Sequence, residues 1–352
     1  MSRRPCILLV TNHASEDSCP GAPHALSELV DMGELGGYCV LNSGPASHEP
    51  RDVRERRVIQ GVQASKCDIL LVQSLKDNIR DMDALASAVA GRPVLYWEGD
   101  PWGRGKSITS AMAAWLDLST IVFSVGGDPQ ASLLRANGAR DVRLIVHTYD
   151  HMLFSEAERH FSFEQATPGR VGVIGSNLMR VPLISGLPGS WQRFRLVSQL
   201  RRRVSEFALA GPGWPRGWSH GRLAFEQQAD FVQGCALLAN WDHYPRTSSY
   251  TSDRMAITMI AGRAQVTTEH PGMDWASDCQ GVFFYNNVRS AVEATLALGS
   301  RDMDELRELG FAAHTWAKGR MSHRQAYRFM VSSLVETVSP PEEPPWTKLP
   351  AI

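Results

Sequence analysis

The stretch TSSYTSDRMAITMIAGRAQVTTEH, residues 247–270, sets Thr247, Ser248, Ser249, Tyr250, Thr251 and Ser252 ahead of a single arginine, Arg254, and a short apolar run. Ser252 or Asp253 can N-cap a helix over 253–261, with Gly262 closing it and RAQVTT forming the next strand. Capping explains one hydroxyl, not a row of them. A cation in the first helical turn opposes the helix dipole, at a cost of roughly 0.3 kcal/mol or more. An oxyanion at the helix N-terminus reverses that sign, because amides, hydroxyls and guanidinium then act together. The chemistry that suits this pattern is diphosphate binding.

Other candidates sit where the strands of an open α/β sheet would end, the edge at which such sheets bind ligands. They are His13 in TNHAS, His24 in CPGAPH, Glu98 and Asp100 in WEGDPW, Gly175 and Ser176 in VIGSN, and Gly211, Gly213 and Trp214 in GPGW. His24, His13 and Asp100 are the candidate bases for an acceptor. Each position also has a plain reading: glycines after strands make turns, and His13 can be a satisfied polar residue near the core.

Several familiar motifs fail. GDPWGRGKS (99–107) follows a strand as a phosphate-binding P-loop would, but five residues separate Gly99 from Gly105 and Pro101 removes an amide. The triplets Asp81-Met82-Asp83 and Asp302-Met303-Asp304 look like metal-binding DxD pairs, yet each opens a predicted helix, where carboxylates cap amides. No GxGxxG follows the first strand, no GxSxG elbow occurs, and the eleven histidines form no ligand spacing. No metal site or bound cofactor is expected.

The elements that must position these residues alternate. Apolar strands are predicted at 6–11, 37–42, 67–73, 93–99, 120–126 and 142–148, then at 171–177, 206–213, 236–241, 263–269 and 281–287. Helical spacing falls between them, giving parallel sheets with crossover helices. A polar stretch ending in Pro-Gly places the domain boundary at 165/166, and SPPEEPPW near the C-terminus reads as an exposed tail. At 352 residues, two domains are the default. The formal net charge of −1 provides no drive toward nucleic acid, and no apolar run is long enough to span a membrane. None of the six cysteines forms a CxxC pair, which fits a reduced cytoplasmic protein.

Assembled, these residues resemble the GT-B glycosyltransferases, most nearly family 4 and the spore-maturation-type enzymes. The resemblance rests on YWEGDPW (96–102), the FSVGG…LLRANGA…HTYDHMLF run (123–154), VGVIGSN (171–177), AGPGW (210–214) and SSYTSDRMAITMIAG (248–262). It implies two Rossmann-like domains facing across a cleft: an acceptor domain at 1–165, a nucleotide-sugar domain at 166–318, and a final helix with tail, 319–352, crossing back to the first. By position, Gly175 and Ser176 would approach the donor diphosphate, with Ser249, Tyr250, Thr251, Ser252 and Arg254 at or near it. Gly211, Gly213 and Trp214 would lie near the base, and Asp100 on the acceptor side.

The relatives carry a glutamate at the position of Ile257 and, more widely, one near Ser249. Both are absent here, and Glu269 is the substitute candidate for holding the ribose. The expected activity is metal-independent transfer, retaining in configuration, from a nucleotide sugar to a small-molecule or glycan acceptor. The alternatives are a catalytically degenerate sugar- or nucleotide-binding protein, a nucleotide-sugar epimerase and a glycosyltransferase of modified DNA bases.

Overall fold

The computed structural model describes residues 3–13, 15–44, 49–73, 79–103, 107–181 and 184–352. The P-loop-like segment 99–107 therefore lies partly outside the described residues. The chain divides into two compact units, Met1–Val146 with His323–Ile352, and His147–Ser322. The sequence boundary at 165/166 thus differs from the division at 146/147.

The first unit is built on β1 (Cys6–Thr11), β2 (Gly37–Asn42), β3 (Ile69–Gln73), β4 (Val94–Glu98), β5 (Ile121–Ser124) and β6 (Val142–Leu144). All pair in parallel in the order β2-β1-β3-β4-β5-β6. Between consecutive strands run α1 (Gly21–Asp31), α2 (Arg51–Ala64), α3 (Met82–Val89), α4 (Ser110–Leu118) and α5 (Gln130–Ala136). Every residue of β3 and β4 is buried. Strands covered on both faces have no polar side to show, so they read as continuous apolar runs.

The second unit contains α6 (Ser155–Arg159), β7 (Thr167–Ile174), the short hairpin β8 (Met179–Val181) and β9 (Ile184–Ser185), α7 (Ser190–Arg203), β10 (Phe207–Ala210), α8 (Gln227–Gln233) and β11 (Cys235–Ala239). There follow α9 (Asp253–Ile260), β12 (Ala264–Thr268), β13 (Val282–Tyr285), α10 (Val288–Gly299) and α11 (Met303–Ala317). Its sheet is parallel in the order β10-β7-β11-β12-β13. Leu196, Val197 and Leu200 of α7 and Ala291 and Val292 of α10 close a core against β7, β11 and β12. Asp81 and Asp302 cap α3 and α11, their Oδ1 atoms accepting from the amides of Ala84 and Glu305 at 2.9 and 2.7 Å.

The last helix, α12 (His323–Ser332), belongs to the first unit and packs on α1. Arg324 Nε donates to both carboxylate oxygens of Glu28 at 2.9 and 2.7 Å, and Arg328 Nη1 to those of Glu34 at 3.0 and 2.8 Å. In the tail beyond it Ser339, Pro340, Glu342 and Glu343 are exposed as its composition suggests, but Pro341, Pro345 and Trp346 are not. Trp346 is buried, its ring 5.2 Å from that of Phe329, because an indole gains more from apolar contact than the polar neighbours lose. No helix among the described residues is long and apolar enough to cross a membrane.

Candidate functional site

In the second unit the chain leaves β11 and runs through residues 240–252 before α9 begins. A buried polar network holds this run from behind. Asp242 Oδ1 accepts from Asn240 Nδ2 at 2.9 Å, and its Oδ2 lies 3.1 Å from His270 Nε2. The His270 Nδ1 lies 3.0 Å from the Thr247 carbonyl, so both ring nitrogens face oxygen acceptors. Burial alone would push the Asp242 carboxyl up. The hydrogen bond and charge of His270, with Arg193 and Asn240, more than offset it and hold the group well below the usual carboxylate range.

Tyr250 packs edge-on against His270, with ring centroids 5.3 Å apart, and burial pushes its phenol well above the ordinary value. Ser249 sits at φ +52°, with its amide donating to the Pro271 carbonyl and its hydroxyl to the Gly272 carbonyl, both at 2.7 Å. These contacts anchor the loop and engage the Ser249 hydroxyl in the fold.

The next residues are different. Ser252 occupies the N-cap position of α9 in extended conformation, φ −86° and ψ 158°, yet its hydroxyl makes no capping bond. Among the described residues, Ser252 Oγ, Thr251 Oγ1 and Arg254 Nε are buried with no hydrogen-bond partner. Thr251 and Ser252 are only 4% and 3% exposed. A buried unpaired polar atom costs about 1–3 kcal/mol, a penalty that a bound group supplying acceptor oxygens at this helix terminus would relieve. The Arg254 guanidinium also reaches Asp253 Oδ1 at 3.3 Å.

Arg193, on α7, was not a sequence candidate. It is almost fully buried, and Nε donates to the Trp241 carbonyl at 2.5 Å. Its Nη1 reaches the Ser176 carbonyl at 3.3 Å and His243 Nε2 at 2.8 Å. One guanidinium thereby ties the loops after β7 and β11 together. Burial, then repulsion from Arg254, pulls its pKa down to about 10. Burial and the same two arginines hold His243 down to about 3. The neutral imidazole accepts from Arg193 at Nε2, which leaves Nδ1–H to donate to Ser190 Oγ at 3.2 Å. The sequence did carry a signal for Arg193: Leu196, Val197 and Leu200 follow at i+3, i+4 and i+7, so this arginine lies on the apolar face.

The remaining glycine-loop candidates pack on one another. Gly175 accepts at its carbonyl from Trp214 Nε1 at 2.8 Å. Gly211 (φ +126°) and Gly213 (φ +82°) pass so close to the 175–177 loop that a Cβ at either would lie 2.2 Å from a backbone oxygen. The Trp214 ring stacks 6.3 Å from Phe194 of α7. Ser176 presents its carbonyl to Arg193. Glu269, exposed at the end of β12, lines a cavity of about 700 Å³ with Trp241, Thr268, Arg195, Arg246 and Arg289. Thr251, Ser252 and Arg254 are not among that cavity's lining residues.

In the first unit, His13 and Asp100 follow β1 and β4. Those strands are two positions apart in the sheet, so the two residues enter from separate loops. The Asp100 amide donates to Glu98 Oε1 at 3.0 Å, and its carbonyl accepts from Gln130 Nε2 at 3.1 Å. His24 is not in a loop: α1 begins at Gly21, and His24 Nδ1 lies 3.6 Å from Glu28 one turn on.

No protein-family model matches the sequence, and no curated protein matches it. Solved structures do. An alpha-glucosyltransferase in complex with UDP-glucose and DNA containing an abasic site superposes with a TM-score of 0.64 at 9% identity, over 95% of this chain and 99% of that one. HepE from Anabaena, in complex with UDP and glucose, gives 0.59 at 13% over 94% and 100%. A putative UDP-N-acetylglucosamine 2-epimerase from Listeria monocytogenes gives 0.57 at 12% over 97% and 99%. Likeness at such low identity speaks to architecture, and with the two parallel sheets described above it shows that this chain has the GT-B fold of two Rossmann-like units.

Proposed function

We propose that the protein is a glycosyltransferase that takes its sugar from a nucleoside-diphosphate sugar, of the kind its short motifs resemble in family 4 and the spore-maturation-type enzymes. The observation that carries this reading is the start of α9, where Ser252 Oγ, Thr251 Oγ1 and Arg254 Nε are buried and unpaired beside a helix N-terminus. The diphosphate of the donor would accept from these groups. UDP is the favoured nucleotide, since the alpha-glucosyltransferase and HepE structures contain it.

The mechanism follows from where charge develops. As the bond from the anomeric carbon to the phosphate oxygen breaks, negative charge grows on the departing diphosphate. Arg254, the two hydroxyls and the helix N-terminus would receive it, and groups held in place before the reaction need little reorganisation at that moment. In the retaining course the acceptor attacks from the face the diphosphate leaves, and the leaving phosphate takes the acceptor's proton. Protein residues then neutralise charge without a metal. Asp100, His13 and His24 would serve acceptor placement, with a small molecule or glycan as acceptor.

One observation favours a second reading. Ile257, where the relatives have glutamate, is a fully buried apolar residue of α9. A protein that has lost that carboxylate could bind a sugar nucleotide without turning it over. A thermal-shift screen against UDP, GDP, dTDP and ADP, followed by donor turnover, separates the cases. Stabilisation by one diphosphate that vanishes in Arg254→Ala supports the site, and turnover of its sugar supports the transferase. No response to any of the four from folded protein rejects the proposal.

A further inference from the structure

Three of the six cysteines, separated by up to 61 residues in sequence, converge at one end of the first unit's sheet. Cys6 is the first residue of β1, Cys39 the third of β2, and Cys67 lies two residues before β3. These strands are neighbours in the order β2-β1-β3. Cys39 is in register with Leu8, two residues along from Cys6, so Cys6 and Cys39 project from the same face of the sheet. The sulfurs of Cys6 and Cys67 are 2.9 Å apart, and all three lie within 4.8 Å of one another.

Cys67 belongs to the first unit's apolar core and Cys6 packs against it, but core filling does not account for Cys39. Cys67 is buried, Cys6 half-buried and Cys39 exposed, so the cluster opens to solvent through its least buried member. A cysteine used as a small apolar residue has no reason to be placed at that opening. Tetrahedral zinc holds thiolates at about 2.3 Å, which sets sulfur–sulfur separations near 3.8 Å, within reach of this arrangement by small rotamer changes. Soft sulfur donors alone select soft d10 cations over magnesium or calcium. Asp68 adds negative charge nearby, its Oδ2 accepting the Cys6 amide at 2.8 Å.

We propose that Cys6, Cys39 and Cys67 form a three-thiolate site for a thiophilic d10 cation, Zn²⁺ or Cu⁺, which ties together the starting ends of β1, β2 and β3. On binding, three S–H bonds break, three protons leave to solvent and three sulfur–metal bonds form, with no change of oxidation state. The cation supplies the charge that makes deprotonation favourable. The site lies at the opposite end of its strands from His13 and Asp100, so its role is structural.

The test uses the full chain, reduced, stripped of metal and titrated with Cd²⁺ as the spectroscopic stand-in. The expected result is thiolate-to-cadmium charge-transfer absorbance saturating at one equivalent, weakened by competition from excess Zn²⁺ or, for a cuprous site, abolished by Cu⁺ alone. Cys39→Ser alters only the exposed ligand and should weaken binding at least tenfold. No absorbance from the reduced wild type, or a titration unchanged by Cys39→Ser, overturns the proposal. Peptide mapping that finds Cys6 joined to Cys67, with no cadmium binding after reduction, also overturns it.

Discussion

Ser252→Ala separates a helix cap from a ligand-binding residue, because the two roles predict opposite patterns. A working Ser N-cap loses about 0.5–2 kcal/mol on truncation to alanine. Ser252 makes no capping bond, and its hydroxyl is buried without a partner. Truncation therefore removes an unmet desolvation penalty rather than a bond, and ligand-free stability should stay within about 0.5 kcal/mol of wild type. Asp302→Ala is the control: its carboxylate does cap α11, at 2.7 Å from the Glu305 amide, and its loss should cost about 1 kcal/mol.

With UDP the order reverses. A hydrogen bond to a charged group is worth about 1.5–3 kcal/mol, so Ser252→Ala should weaken UDP at least about tenfold. At a concentration 100 times the wild-type Kd, UDP adds about 2.7 kcal/mol to wild type and only about 1.4 kcal/mol to the variant. Chemical denaturation with and without UDP measures both quantities. The reasoning is refuted if Ser252→Ala loses stability as Asp302→Ala does while keeping the full UDP increment.

Arg193→Met should destabilise the second unit by about 3 kcal/mol in urea unfolding, because the Trp241 and Ser176 carbonyls and His243 lose a buried charged donor. A loss below 0.5 kcal/mol would show that the guanidinium is not a clamp. The folded protein holds His243 down to about 3, chiefly by burial, and His314 down to about 4 by burial and then Lys318. Both are therefore neutral when folded and take up protons on unfolding below about pH 6.5. Their contribution is complete above that pH and is lost as pH falls toward 4, with a slope approaching 2.5 kcal/mol per pH unit near pH 5.5. His243→Gln should remove about half that slope, and an unchanged slope counts against the assignment. Glu269→Gln should weaken UDP several-fold by isothermal titration and leave inorganic diphosphate unaffected. Equal loss for both would remove Glu269 from the ribose.

Much of the fold was legible because it is written in local pattern. The wholly buried β3 and β4 read as unbroken apolar runs, and the helical spacing after 281–287 becomes α10, which Asn287 caps by accepting from the Ser290 amide. The misreadings have physical causes. Proline and glycine usually mark a loop, as CPGAPH suggests, yet Pro23 falls in the first turn of α1, where its missing amide is no loss. Trp346 was assigned to an exposed tail because only the fold brings it to Phe329. The hydroxyl row ahead of Arg254 was visible, but its division was not. Ser249 serves the loop and Thr251 and Ser252 remain unpaired, a distinction made by Pro271 and Gly272 some twenty residues away. Asp242 and His270 were missed for the same reason.

Net charge was the least informative quantity of all, since a balance of −1 says nothing about where cations lie. Arg193 and Arg254 are close enough to feel each other's charge, and that repulsion is the second cause, after burial, of the lowered Arg193 pKa. Asp242 is already committed to His270 and Asn240, and Asp253 lies against Arg254. Against burial, Asp253, Tyr250 and Asp242 raise the Arg254 pKa, so the two arginines have negative charge beside them; what stays unmet is acceptor oxygen for Thr251 Oγ1, Ser252 Oγ and Arg254 Nε. A carboxylate offers two oxygens and a single charge. A diphosphate offers more of both in one rigid group, and its terminal oxygens reach a helix N-terminus and a guanidinium together. Under the proposed function, these unmet donors would favour a departing diphosphate over the intact sugar ester, because the charge on its oxygens is greatest once the bond to the anomeric carbon has broken.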